Sequence, residues 1–197
     1  FASSMNPNPY STAKSLIGDF RLSWDITDYL SISTTNRYST DDSFYKSVIT
    51  PEAKSKSWPD GQISQGLSWG HSFGTTNILK FNKVFKNVHS VNALLGHEYG
   101  RSSSEYMNVI TSGLKNGMQV LNGTKPENIY GTKTEAASWS LFAQAQYSYK
   151  ERYFFNATFR ADASSVFAPK NKVGYFPAGS FAWLISNEDF MKSQDVI

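Results

Sequence analysis

Side-chain character alternates with a period of two along seven segments of this chain, and nowhere does an apolar stripe recur with the 3.6-residue period of a helix. The first segment, 16–26, places Leu16, Phe20, Leu22, Trp24 and Ile26 on one face and Asp19, Arg21, Ser23 and Asp25 on the other. The second, 29–38, sets Leu30 and Ile32 against Ser31, Ser33 and Arg37. The third keeps one phase over 66–85, with Leu67, Trp69, Phe73, Leu79, Phe81 and Phe85 opposite Ser68, Ser72, Thr76 and Lys80. Such a run is far longer than the usual strand of about 5 to 6 residues. A fourth covers 88–100 and a fifth 137–149, where Trp139, Leu141, Tyr147 and Tyr149 oppose Ser138, Ser140, Gln144 and Gln146. The sixth, 152–164, sets Tyr153, Phe155, Ala157 and Phe159 against Asn156, Thr158, Arg160 and Asp162. The seventh spans 175–185, and a capped helical turn is expected over 186–194. The pattern predicts an all-β, antiparallel fold.

The charges sort by face. On the apolar side only Lys83 is charged, beside a turn from which it can snorkel; the other side carries Asp19, Arg21, Arg160 and Asp162 among others. Hydrocarbon cannot solvate charge whereas a watery lumen can, so this partition fits a membrane barrel wall. The connections agree. Two-residue turns at Thr27-Asp28, Lys86-Asn87 and Lys150-Glu151 alternate with longer loops at 39–65, 101–135 and 165–174, the pattern of short periplasmic turns and long external loops. Aromatic residues gather where short turns meet strands: Trp24, Tyr29, Phe81, Phe85, Tyr147, Tyr149 and Tyr153, with Trp183 on the last segment. They are the candidates for an interfacial aromatic girdle. Unpaired backbone at a sheet edge costs several kcal/mol in lipid, so only closed barrels span a membrane. Bacterial single-chain barrels have even strand numbers, so seven segments point to part of a larger barrel.

Composition narrows the function classes. Among 197 residues there are 14 Phe, 11 Tyr and 5 Trp but no Cys, which removes disulfide scaffolds, thiolate zinc sites and cysteine catalysis. A net charge of +3, dispersed without blocks, gives no nucleic-acid footprint. No apolar run is long enough for a membrane helix. The chain begins Phe1-Ala2-Ser3-Ser4 with neither an initiator Met nor a signal peptide, so a longer parent is expected.

The stretch from Asn156 to Phe190 resembles a signature of SusC/RagA-type TonB-dependent outer-membrane transporters. There, a strand ending Arg-x-Asp-Gly-Ser-Ser-x-Phe leads through an Asn-containing loop to Gly-Tyr-Phe-Pro, then to a strand with Ala-Trp and a Glu-rich turn ending in Phe. Arg160, Asp162, Ser164, Ser165, Phe167, Asn171, Gly174, Tyr175, Phe176, Pro177, Trp183, Glu188 and Phe190 match; Ala163 and Val173 stand where Gly and Trp are usual. Phe85, His89, Leu94, Leu95 and Gly96 resemble a preceding family hairpin more loosely, so the likeness covers roughly 66–190. It implies a large barrel in the bacterial outer membrane, filled by a plug and paired with a SusD-like surface lipoprotein. Such a barrel imports oligosaccharides or peptides with energy delivered through TonB, and no cofactor is implied. Residues 1–197 are then expected to be part of one barrel domain, with the plug, the TonB-contacting segment and the C-terminal strands elsewhere. The family-motif and lumen-facing candidates are Asn156, Thr158, Arg160, Asp162, Ser164, Ser165, Phe167, Gly174, Tyr175, Phe176 and Pro177. The substrate-binding residues are not specified.

Other patterns carry less. His71, His89 and His97 lack metal-ligand spacing and read as interfacial polar side chains. Gly113-x-x-x-Gly117 has no apolar helix around it, and the acceptor patterns Asn122-Gly-Thr124 and Asn156-Ala-Thr158 read as accidental. Asp41-Asp42 and Asp60-Gly61 read as solvated turn residues. No paired carboxylates, nucleophile elbow or phosphate loop is present, so the expectation is not an enzyme. Two other readings stand beside the transporter: a complete small outer-membrane barrel acting as adhesin or porin, and a soluble β-sandwich binding glycans through Trp58 or Trp69.

The phasing is testable by charge insertion. Asp at Phe155, Ala157 or Phe159 should lower membrane insertion, whereas Asp at Thr158 should leave it unchanged, as measured by outer-membrane yield. A midplane Lys or Arg costs about 2 to 4 kcal/mol and an Asp less.

Overall fold

The computed structural model describes residues 9–191 apart from 54, 116, 123 and 168–171. Asn171 of the motif, Gly123 of the first acceptor pattern, residue 116 between the paired glycines, the first four residues and the last three of the expected helical turn lie outside the described residues.

Seven strands run in sequence order, each hydrogen-bonded to the next: β1 (Tyr10–Thr27), β2 (Leu30–Ile49), β3 (Gln62–Phe85), β4 (His89–Ser112), β5 (Lys125–Tyr149), β6 (Tyr153–Ser164) and β7 (Val173–Trp183). No α-helix occurs among the described residues; short 3-10 turns lie at Pro51–Ala53 and Ile185–Asn187. The sheet is antiparallel. β5 pairs with β6 and β6 with β7 in continuous antiparallel register, and connections as tight as those joining β1 to β2 and β3 to β4 admit no other sense.

Two of the turns have left-handed central residues, Lys86 (φ 49°) with Asn87 (φ 53°) and Lys150 (φ 52°) with Glu151 (φ 53°). This is the type I′ geometry whose twist matches that of the flanking strands. Phe85 and Tyr149 carbonyls accept the closing N–H bonds of Val88 and Arg152 at 3.1 and 3.0 Å. The first turn falls on Asp28-Tyr29, one residue later than the pattern suggested, with the Tyr29 amide on Thr27 Oγ1 at 3.4 Å. A threonine hydroxyl of this kind starts a local turn in its own right.

The expected loops 39–65 and 101–135 are mostly strand, leaving only 50–61 and 113–124 as connections. Period-two alternation reports a contrast between the two faces. Where both faces meet water the contrast vanishes, yet the backbone still needs its ladder partners, so the strands continue. The last strand ends at Trp183, not at residue 185, and the expected helical turn is a 3-10 turn over Ile185–Asn187 only.

The chain divides into two compact units. The first gathers 38–72, 102–135 and the start of β1. Its small core holds Ile63, fully buried, with Val48 and Leu114, and Leu121 packs against it. The two connections are fastened together by the Leu114 amide on Asp60 O (2.8 Å), and the second is tied to β2 by Lys46 Nζ on Gln119 O (2.5 Å). Gly61 (φ 76°) sits where a Cβ would lie 2.7 Å from Ile49 O, so only glycine closes this loop.

The second unit comprises 19–37, 73–101 and the chain from 136 onward. Here the register fixes the faces. Trp139, Leu141, Ala143 and Tyr147 stand opposite Ala163, Ala161, Phe159 and Phe155, while Ser140, Phe142, Gln144 and Gln146 stand opposite Asp162, Arg160, Thr158 and Asn156. Ala161 is its one buried hydrophobic residue among those described. Phe20, Leu22, Trp24, Phe155, Phe159 and Phe181 are exposed on one face. A contiguous apolar surface of this extent requires a nonaqueous neighbour.

Ile63→Ala should cost about 2 to 5 kcal/mol locally and release the paired connections. Limited proteolysis should then show faster cleavage within 50–61 and 113–124, with 136–167 unaffected.

Candidate functional site

The polar face of the second unit carries a charge network built across three strands. Arg160 on β6 donates through Nε to both Asp162 oxygens (2.7 and 2.9 Å), and through Nη2 to Glu98 Oε2 on β4 (3.0 Å) and Ser140 Oγ on β5 (3.2 Å). Its guanidinium also lies 5.2 Å from the Phe142 ring centroid. Alternation explains the convergence: Arg160 and Asp162 are two residues apart, and cross-strand neighbours Phe142, Ser140, Phe176 and Gly174 share their face. A second pair joins β1 to β2, with Arg37 Nε and Nη2 forking onto Asp19 Oδ1 and Oδ2 at 2.7 and 2.9 Å. Arg21 Nε donates to Thr35 Oγ1 at 3.2 Å.

Asp19, Arg21, Arg37, Glu98 and Arg160 line a recess of about 720 Å³ with hydroxyls and glycine backbone from β3 to β5. The side chains of Arg160, Glu98, Arg37 and Asp19 are 39% to 64% exposed, so water screens the pairs and they add little to stability. Their effect is to present alternating donors and acceptors on a wetted wall. Phe142, an aromatic side chain on this face, covers Gly96, where a Cβ would stand 2.1 Å from Phe142 Cζ. An aromatic ring thus fills the space a strand glycine leaves.

The opposite face carries two aromatic rows. Near the short turns, Tyr149, Tyr153 and Trp183 stack at 6.3 and 6.2 Å, Tyr147, Phe155 and Phe181 run beside them, and Tyr29 meets Phe81 edge-on at 5.6 Å. Lys83 Nζ rests 4.0 Å over the Tyr29 ring. Trp24 and Phe85 are exposed, and Phe85 lies 5.4 Å under the same ammonium. A second row, which the sequence reading missed, holds His97 against Trp139 (6.2 Å); Phe159 and Tyr175 stack between the two rows (6.3 Å). From Trp139 to Tyr149 is ten residues of β5, about 34 Å along a strand and about 24 Å when tilted by about 45°, close to the about 25 Å apolar band of outer-membrane barrels.

Below the first row, Glu188 is 8% exposed and gathers three donors. Tyr153 Oη and Trp183 Nε1 reach its Oε1 at 2.6 and 3.1 Å, and Arg152 Nη1 reaches Oε2 at 2.8 Å. The Tyr153 hydroxyl, then the Trp183 indole, hold the Glu188 carboxyl below the usual range. A carboxyl with a lowered folded pKa stabilises fully above its unfolded value of about 4.3 and loses that contribution as pH falls through the folded value. This clasp therefore persists through mild acid.

The structure splits the sequence candidates by face. Asn156, Thr158, Arg160, Asp162, Gly174 and Phe176 share the polar face, whereas Tyr175 lies opposite Ala161 and Pro177 opposite Phe159, on the apolar one. Gly-Tyr-Phe-Pro is extended strand, so its residues point alternately and Tyr175 and Pro177 do not share the face of Arg160. Ser164 ends β6, and Ser165 fastens to the middle of β5, its amide on Ala137 O and its Oγ accepting from the Ala137 amide, both at 2.8 Å. Phe167 is exposed in the turn that follows. The alternation already sets Glu98 on the polar face of the fourth segment, opposite Val91 and Leu95, but not its contact with Arg160; Phe142, an aromatic residue in a polar row, and Arg152 join these clusters without having been candidates.

A family model described as TonB dependent receptor-like, beta-barrel, matches residues 2–191. A TonB-dependent receptor of Formosa agariphila is 35% identical over 127 residues, covering 62% of this chain and 12% of the relative. The TonB-dependent receptor SusC of Bacteroides thetaiotaomicron is 34% identical over 73 residues, 37% of this chain and 7% of that protein. The solved RagAB peptide transporter superposes with a TM-score of 0.79 at 19% identity, over 94% of this chain and 21% of the other. The siderophore receptor PiuA of Acinetobacter baumannii gives 0.51 at 13% identity, over 89% and 29%. The structural likenesses establish the fold. This chain spans about an eighth of the length of the first curated relatives it matches.

Gly96→Ala should force the Phe142 ring aside and cost about 1 to 3 kcal/mol, and Phe142→Ala in the same protein should recover most of that loss. Denaturant unfolding of the two single variants and the double variant reads the coupling.

Proposed function

Because this chain belongs to the TonB-dependent receptor-like β-barrel family, and so to the bacterial outer membrane, we propose that it forms part of the wall of one large barrel that imports nutrients. The observation that carries this reading is the division of one sheet into an exposed apolar face and a charged, hydrated one. In the reading, the apolar face meets lipid, its two aromatic rows sit at the two interfaces, and the polar face lines the lumen. Asn156, Thr158, Arg160, Asp162, Gly174 and Phe176 then face the transport path or the plug that fills it.

The wall suits a carrier of hydrophilic solutes. Arg160 is balanced by Asp162 and Glu98, and Arg37 by Asp19, so a passing solute meets donors and acceptors without a deep electrostatic trap. Solutes rich in hydroxyl or amide groups match such a surface, and we assign oligosaccharides or peptides as cargo. Likeness to SusC and to the RagAB peptide transporter supports that class. A SusD-like lipoprotein is the proposed surface partner and TonB the energy donor, reached through a part of the protein outside these strands. The role is that of a transporter, not an enzyme.

The test is uptake. Cells lacking the protein should lose accumulation of labelled oligosaccharides or of labelled peptides, and dissipating the proton gradient in intact cells should give the same loss. Undiminished uptake of both classes, or recovery of the protein only in the soluble fraction, contradicts the reading.

A further inference from the structure

We propose that residues 184–191, after β7, form an interfacial foot that docks on the phospholipid headgroup layer, seating Leu184, Ile185 and Phe190 at the edge of the acyl chains. The proposal rests on the membrane reading of the apolar face and adds a lipid-binding element to it.

The geometry sets the position. Tyr153 and Trp183 lie on the apolar face, stacked at 6.2 Å and 10°, and the polar atoms of both converge on Glu188 Oε1. The segment bearing Glu188 therefore curls across the end of the sheet, against the aromatic row of the apolar face, with Arg152 holding it as well. Several of its polar groups bond back to the sheet: Asn187 Nδ2 meets Glu151 O at 3.1 Å, the Leu184 amide meets Arg152 O at 2.7 Å, and Asp189 Oδ1, on a side chain 78% exposed, accepts from Arg152 Nη2 at 2.9 Å. Its apolar groups are left outward, with Leu184 43%, Ile185 45% and Phe190 58% exposed.

The same end supplies charge of the matching sign. Lys83 and Lys150 hold their ammonium groups 4.0 and 5.3 Å from the Tyr29 and Tyr149 rings, at the level of lipid phosphates. Apolar side chains continuous with an aromatic row and bordered by lysines fit a phospholipid interface. A folded protein partner in the periplasm is the competing occupant, and lipid vesicles without other protein separate the two.

The test uses single-cysteine variants of the intact protein, in which any cysteine outside this cysteine-free stretch is first replaced by serine. An environment-sensitive fluorophore is attached at Ile185→Cys, Phe190→Cys, Phe181→Cys and Ser57→Cys, and the protein is reconstituted in phosphatidylethanolamine and phosphatidylglycerol vesicles. Labels at 185 and 190 should be quenched more by shallow than by deep spin-labelled lipid, and several-fold less by aqueous iodide than the label at 57. Equal iodide quenching at 185, 190 and 57 overturns the foot. If the label at 181 stays protected in that case, the foot alone fails; if 181 is also open to iodide, the membrane reading fails with it. Adding Glu188→Ala should raise iodide access at 185, and no rise overturns the positioning role of that carboxylate.

Discussion

Hydrocarbon offers a polypeptide no hydrogen bonds, and the rest of this structure follows from that constraint. Every backbone N–H and C=O inside the bilayer must find a partner on a neighbouring strand, so the strands are long, paired in sequence order and joined by turns as tight as type I′ geometry allows. The same medium reverses the usual place of apolar side chains. Phe155, Phe159 and Phe181 point outward, and the second unit has almost no core of its own. Stability comes from the ladder and the surrounding lipid. The outer strands of the order, β1 and β7, each present an edge that a further strand must satisfy, which is why seven strands belong to a larger barrel.

With lipid on one side, the other face is free to carry charge. Arg160 can hold two carboxylates and sit over Phe142 because water reaches it, and the screened pairs decorate the wall more than they hold it together. At the short-turn end the balance differs. Glu188 is shielded and collects Tyr153, Trp183 and Arg152, so there polar groups do fix geometry, tying the aromatic row to the segment after β7.

Much of this was legible in the sequence because one physical contrast, lipid against water, writes itself as period two. All seven strands, their phase and two of the three tight turns are visible in the alternation and in the turn dipeptides. What was hidden has the same cause. Beyond the bilayer both faces are wet, the alternation fades, and β2 to β5 run on through stretches that read as loop. Motif membership groups Tyr175 and Pro177 with Arg160 and Asp162, although strand geometry alone sends them to the apolar face. The Arg160–Glu98 and Arg152–Glu188 contacts join residues 62 and 36 positions apart, and no local pattern encodes them.

The central claim is that one sheet face meets lipid and the other water, and β6 reads it out residue by residue. Single cysteines from 154 to 163, in cells and without permeabilisation of the lipid, are treated with a small water-soluble maleimide that enters the barrel. The account predicts labelling that alternates strictly, with Asn156, Thr158, Arg160 and Asp162 positions reactive and Phe155, Ala157, Phe159 and Ala161 positions silent. Uniform reactivity along the strand, or reactivity in the opposite phase, contradicts it.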